Sequence, residues 1–269
     1  MRQATDTAAP LRPEGPIAER SEALFRFFAF IMTRQMRSAF RAIRILEPGL
    51  PQVPEHTPLM LYTNHPSWWD PAFFIVLSRM ILPHRKAFGP MEAEALERYG
   101  FMRRIGVFGL DLETPRGAAT FMRTATAILQ QPKTCLWITA EGQFTDVRTR
   151  PVVLRPGASR VLARTPGALA VPTAFEYPFW KEKRPEALVG FGEPIAATQL
   201  PTDREAANQI LSHALEETQD RLAAASMAQD ATQFRALAAG RRGVGGVFAL
   251  WQRLSALATG QAYRPDHSA

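Results

Sequence analysis

Cysteine is nearly absent from this 269-residue chain: Cys135 stands alone, so no intrachain disulfide can form and a disulfide scaffold is excluded. Long apolar runs are missing too. The longest are interrupted well short of the roughly 20 residues a spanning helix needs, Arg26, Arg34 and Arg37 breaking the first, so no transmembrane helix is expected. The chain opens on nothing that resembles a cleaved signal peptide, which with the single thiol makes a reducing, cytoplasmic compartment the simplest expectation. Lysine is scarce, since 28 of the 32 basic residues are arginine. Against 25 acidic residues this leaves a formal charge of +7, which favours anionic partners. Zinc-finger and RNA-binding aromatic motifs, a Gly-rich nucleotide loop and a GxSxG elbow are all absent, and nucleic acid is not expected among the partners. What is present is apolar material: 46% of residues are hydrophobic, enough for a real core and too much for a disordered or fibrous chain.

Residues 1–20 carry Pro10, Pro13, Gly15 and Pro16 among small and polar residues and are expected to be mobile. From Leu24 to Ile45 apolar residues recur at three- and four-residue steps, so residues 21–50 read as an amphipathic helix. Arg26, Arg34, Arg37, Arg41 and Arg44 make it basic, as a helix lying on an anionic membrane surface would be. The short apolar run Leu59–Tyr62 and the candidate strands Arg85–Phe88, Val107–Leu110 and Cys135–Thr139 then alternate with helical patterns at Ala72–Leu82, Glu92–Tyr99 and Gly117–Gln130. With further runs at Leu169–Phe175 and Ala187–Phe191, this predicts an α/β fold whose central, mostly parallel sheet is flanked by helices. The main domain is expected over residues 51–230, closing on a helix from Asp203 to Met227. Residues 231–269 read as a basic tail in which Gly240–Gly246 is a hinge and Val247–Leu257, with Trp251, a short amphipathic helix.

The segment Asn64-His65-Pro66-Ser67-Trp68-Trp69-Asp70 follows the first of the alternating strands, at the carboxyl edge where α/β proteins place chemistry. Five positions along a helix are about 500° of rotation, so His65 and Asp70 meet only if a turn lies between them. Pro66 biases His65 away from helical geometry, and Pro71 can open a helix just after Asp70. In such a turn Asp70 would hold one imidazole nitrogen and leave the other as a base working near neutrality. From the residues alone, Asp70 as a mere helix cap and His65 as a structural histidine stay open. Trp68 and Trp69 are candidates to wall an acyl tunnel or to anchor the turn.

The His65-x4-Asp70 spacing resembles the first motif of the lysophospholipid acyltransferase family, typified by bacterial 1-acylglycerol-3-phosphate acyltransferases. Gly106–Asp111 looks like its second block, Ala140-Glu141-Gly142 like its third and Val171-Pro172 like its fourth, in the same order over roughly residues 58–192. The resemblance implies a single glycerolipid-acyltransferase-like domain with amphipathic terminal helices. It further implies acyl-CoA or acyl carrier protein as donor and a lysolipid as acceptor, with no cofactor and no metal. His65 would be the base and Asp70 its partner, with direct attack on the thioester and no acyl-enzyme. Asn64, Glu141, Gly142 and Gln143 would shape the site or bind the acceptor, on the cytoplasmic face of the inner membrane, peripheral or monotopic.

Departures bear on the acceptor. The family's third block usually carries a proline where Ala140 stands and often an arginine where Phe144 stands, and the arginine that usually follows the acidic position of the second block is Leu112. Neither leucine nor phenylalanine offers an arginine's forked donors to a phosphate. A lysolipid other than plain lysophosphatidate is therefore expected, unless Arg116, Arg148, Arg150 or Arg155 brings the charge from another direction. Three alternative readings stand beside it: a 1-acylglycerol-3-phosphate acyltransferase proper, a metal-dependent hydrolase, and a non-catalytic membrane-binding protein. His56, His84, His213 and His267 form no compact ligand spacing with His65.

Overall fold

A computed structural model describes residues 15–111 and 113–240. The described residues form seven α-helices and nine strands. In chain order these are α1 (Pro16–Glu19), α2 (Glu22–Ala39), β1 (Ala42–Leu46), β2 (Leu59–Thr63), α3 (Asp70–Ile81), β3 (Lys86–Glu92), α4 (Ala93–Arg98), β4 (Val107–Leu110), α5 (Pro115–Leu129), β5 (Thr134–Thr139), α6 (Gly157–Leu162), β6 (Leu169–Glu176), β7 (Ala187–Phe191), β8 (Ile195–Ala196), α7 (Arg204–Ala228) and β9 (Phe234–Ala239). The strands form one sheet in the order β4-β3-β5-β2-β6-β7-β1-β9, with β8 beside β6. From β4 to β6 all neighbours are parallel; β7 returns antiparallel to β6, β1 lies parallel to β7, and β9 closes the edge antiparallel to β1.

The central strands read as unbroken apolar runs because both faces of the sheet are covered. On β2, Leu59 and Leu61 point to one face and Met60 and Tyr62 to the other; on β5, Cys135 and Trp137 alternate with Leu136 and Ile138. The first set packs with Phe73, Val76 and Leu77 of α3 and Phe25 and Met36 of α2. The second packs with Phe121 and Ile128 of α5, Val161 of α6 and Leu211 and Leu215 of α7. Each such side chain, removed from water, stabilises the fold by about 1.5–3 kcal/mol before the entropy of ordering it is charged.

Three expectations about the ends are corrected. The single helix from Leu24 to Ile45 is two elements, because Phe40 ends α2 in extended geometry and Ala42–Leu46 enter the sheet between β7 and β9. Ile43 and Ile45 fit a strand's period of two as well as they fit the tail of a helical stripe. Arg44 consequently leaves the basic face: its Nε lies 3.0 Å from Glu186 and its guanidinium over the Trp180 ring. Residues 15–20, assigned to a mobile segment, hold α1 and Arg20, whose side chain is covered and whose Nε donates to the Ala87 carbonyl at 3.2 Å. At the other end Phe234–Ala239, placed in the tail, is the edge strand β9, so the sheet reaches beyond both boundaries of the predicted domain. The expected segment Val247–Leu257 and most of the Gly240–Gly246 hinge, like residues 1–14 and Leu112, lie outside the described residues.

Candidate active site

Strand β2 ends at Thr63, and α3 begins at Asp70 with Pro71 in its first turn, as the two prolines predict. Between them the chain turns, the Asp70 N–H donating to the Ser67 carbonyl at 3.1 Å. This brings His65 Nδ1 to 2.6 Å from Asp70 Oδ2. Asp70 is fully buried and does not cap α3. Its Oδ2 also accepts from the Ser67 N–H at 3.2 Å, and its Oδ1 accepts from the Tyr177 hydroxyl at 2.7 Å. With Ser67 and Tyr177 both donating to it, Asp70 is set up to accept, and a neutral imidazole that donates Nδ1–H to it leaves the Nε2 lone pair for chemistry.

The histidine backbone is clamped from a second loop. Glu141 Oε2 accepts from the His65 N–H at 2.9 Å, while the Thr145 N–H donates to the His65 carbonyl at 3.0 Å. Burial raises the Glu141 carboxyl above the ordinary carboxylate range, against the opposing pull of the His65 contact. Glu141 therefore orients the turn, which leaves acceptor binding without support from its contacts. Asn64 is likewise a bracket: its side chain exchanges two hydrogen bonds with the Phe175 backbone, at 3.0 and 2.8 Å, tying the end of β2 to β6. Both of its polar ends are spent there.

His65 lines a cavity of about 840 Å³. The space lies along β3, which pairs with β5 over Lys86–Phe88 and with β4 over Gly89–Glu92, so the strand's second half serves a different neighbour. Gly89 to Glu92 wall one part and Trp137 to Ala140 another. Phe74, Met91, Ile105, Phe121 and Met122 make the interior apolar, and Gly142, Gln143 and Phe144 stand on the same wall as His65. Gly142 has φ +70°, and a Cβ there would come within 2.4 Å of the Arg155 side chain packed over it.

Several predicted residues are elsewhere. Trp68 is 76% exposed and Trp69 packs edge-on against Phe40 at 5.2 Å; neither lines the cavity, so neither walls an acyl tunnel there, and only Trp69 is packed so as to anchor the turn. Arg148 is exposed and paired with Asp146 two residues away, and Arg116 projects from the start of α5, also off the cavity. Arg150 is tied to Asp220. Among the described residues, the arginines that do line it are Arg155, just before α6, and Arg160, on it.

Tyr177 was missed because 107 residues separate it from Asp70. The only signal lies in pairing: Thr63 stands opposite Thr173, so the chain leaving β6 runs beside the chain leaving β2. Burial, with the Asp70 charge beside it, pushes the Tyr177 phenol well above its usual range, which keeps it a donor. Cys135 is buried, and that burial pushes its thiol up against the opposing pull of Arg85. Among the described residues no group of three or more His, Cys, Asp or Glu side chains gathers around a possible ion, and no helix is long and apolar enough to cross a membrane.

No protein-family model matches the sequence, and no curated protein matches it in sequence. Among solved structures, the crystal structure of the 1-acyl-sn-glycerophosphate acyltransferase PlsC from Thermotoga maritima shares the fold with a TM-score of 0.56 at 10% identity, over 75% of this chain and 80% of that one.

Proposed function

We propose that this chain is an O-acyltransferase that moves a fatty acyl group from a thioester of coenzyme A or acyl carrier protein to the hydroxyl of a lysolipid. The observation that carries the reading is the 2.6 Å contact between His65 and Asp70 on the wall of an apolar cavity of about 840 Å³. A general base beside an apolar chamber suits a reaction joining a hydroxyl to a fatty acyl group. The fold shared with PlsC supports the same reading.

In this reaction His65 Nε2 takes the acceptor's proton as its oxygen attacks the thioester carbonyl. Asp70 holds the imidazolium through Nδ1, and Tyr177 holds Asp70. The tetrahedral oxyanion then collapses, the carbon–sulfur bond breaks, and the thiolate leaves with the proton that His65 had taken. Ester and free thiol are the products, and no acyl-enzyme is required. Cys135, sealed in the sheet, is no competing nucleophile.

As acceptor we favour a lysolipid other than plain lysophosphatidate, since Phe144 offers a phosphate no donor. Arg155 and Arg160 on the cavity wall favour the second reading, lysophosphatidate itself. We further propose peripheral attachment to an anionic leaflet, at the cytoplasmic face of the inner membrane. The supporting feature is the exposed stripe Phe27, Phe30, Arg34 and Arg37 of α2, spaced to share one face of the helix.

The test is a matrix of acyl thioesters against lysophosphatidate, lysophosphatidylcholine and lyso-ornithine lipid, read by mass spectrometry. Wild type is expected to add one acyl group and release free thiol, and His65→Ala to lose roughly 10²–10⁴-fold in kcat with an unchanged melting temperature. Thiol release that survives in His65→Ala would defeat the mechanism. Clear preference for lysophosphatidate would decide for the second reading.

A further inference from the structure

Phe144 is 62% exposed, yet its ring lies 4.1 Å from the His65 imidazole, centroid to centroid, at an interplanar angle of 27°. No core requires an aromatic there. The loop that carries it is held to the His65 backbone on both sides of Phe144 in sequence, by Glu141 accepting from the His65 N–H and by the Thr145 N–H donating to the His65 carbonyl. The positive φ of Gly142 lets the loop fold back at that point. One face of the imidazole is thus covered by a large apolar ring, and the His65 side chain keeps only 17% of its surface in contact with solvent.

Such an arrangement matters to a base that must choose between two nucleophiles. Water and a lipid hydroxyl both carry a proton that Nε2 can take, and attack by water turns the thioester into fatty acid and thiol. We infer that Phe144 is a positioning residue that shields the base, covering the imidazole so that the acceptor hydroxyl reaches Nε2 in preference to water. The inference rests on the acyl-transfer reading. The same ring lies against the imidazolium once the proton has moved, and its negative π face favours that cation. Apolar cover and π face are separable, because leucine supplies the first without the second.

The experiment compares wild type with Phe144→Ala and Phe144→Leu by three readouts: fatty acid released per acyl lipid formed, kcat/KM for transfer, and the rate at which diethyl pyrocarbonate carbethoxylates His65 in the free protein. Because Phe144 is exposed, all three proteins are expected to melt alike. Phe144→Ala is expected to raise the hydrolysis-to-transfer ratio several-fold and to speed carbethoxylation. Phe144→Leu is expected to keep both near wild type while kcat/KM falls by roughly three- to fivefold, the loss of a cation–π contact. An unchanged ratio and an unchanged carbethoxylation rate in Phe144→Ala would overturn the shield while leaving the transferase standing. A wild type that consumes no thioester, with Phe144→Ala still carbethoxylated faster, would overturn the transferase while supporting the cover over His65.

Discussion

Removing the hydroxyl of Tyr177 takes one donor from a carboxylate that has no access to water. Leaving a buried acceptor short of a partner costs about 1–3 kcal/mol, so Tyr177→Phe should lower the melting temperature. Its kcat should fall while KM stays near wild type, because the phenol touches Asp70 and not the cavity; a change confined to KM would contradict this. Glu141 offers a test in pH. Burial lifts its carboxyl above the ordinary value of 4.5, so the folded protein keeps that proton to higher pH than the unfolded chain does. The corresponding stability is complete below pH 4.5 and is lost as pH rises through the raised value. Glu141→Gln removes the titration, and urea unfolding from pH 4 to 7 should show wild type losing ground to the variant as pH rises through that window. Parallel curves would refute the assignment.

At the scale of elements, a loop and a helix make separate predictions. Gly142→Ala places a Cβ at φ +70°, a left-handed conformation that costs an L-residue roughly 1–2 kcal/mol, and drives it into the Arg155 side chain. The loop must shift to relieve the clash, so this small substitution should impair activity by disturbing the clamp on His65. Activity equal to wild type would show that the loop is free to move without consequence. Helix α2 must be tested by substitution and not by deletion, since removing residues 24–45 also removes β1 from between β7 and β9. Phe27→Ser with Phe30→Ser should weaken sedimentation with anionic vesicles at an unchanged melting temperature. Undiminished binding would dismiss α2 as the main contact.

For the whole molecule, the formal charge of +7 bears on association and not on the fold. Vesicle binding should therefore weaken as salt is raised from 0.05 M toward roughly 0.5 M, where the screening length falls to a few ångströms. A salt-independent isotherm would assign the attachment to apolar insertion alone. At this scale the alternation of short apolar runs with helical stripes was enough to reach a parallel sheet covered on both faces, because buried strands and amphipathic helices each leave their own period in the chain. The boundaries were not legible. Phe40 to Ile45 satisfied a helical and a strand period together, and only the vacancy between β7 and β9 selects the strand.

The turn between His65 and Asp70 was readable locally, since Pro66 biases the chain away from a helix and Pro71 favours a helix start, but those residues alone left the pairing of the two side chains open. So was the burial of Cys135, which sits in an apolar run. What holds that pair came from elsewhere in the chain: Tyr177 from the end of β6, Glu141 and Phe144 from the loop after β5, Asn64 bound to the backbone of Phe175. Hydrogen bonds and ring contacts depend on distances of a few ångströms between strand ends, and a parallel sheet sets those distances by register between segments that sequence order keeps far apart.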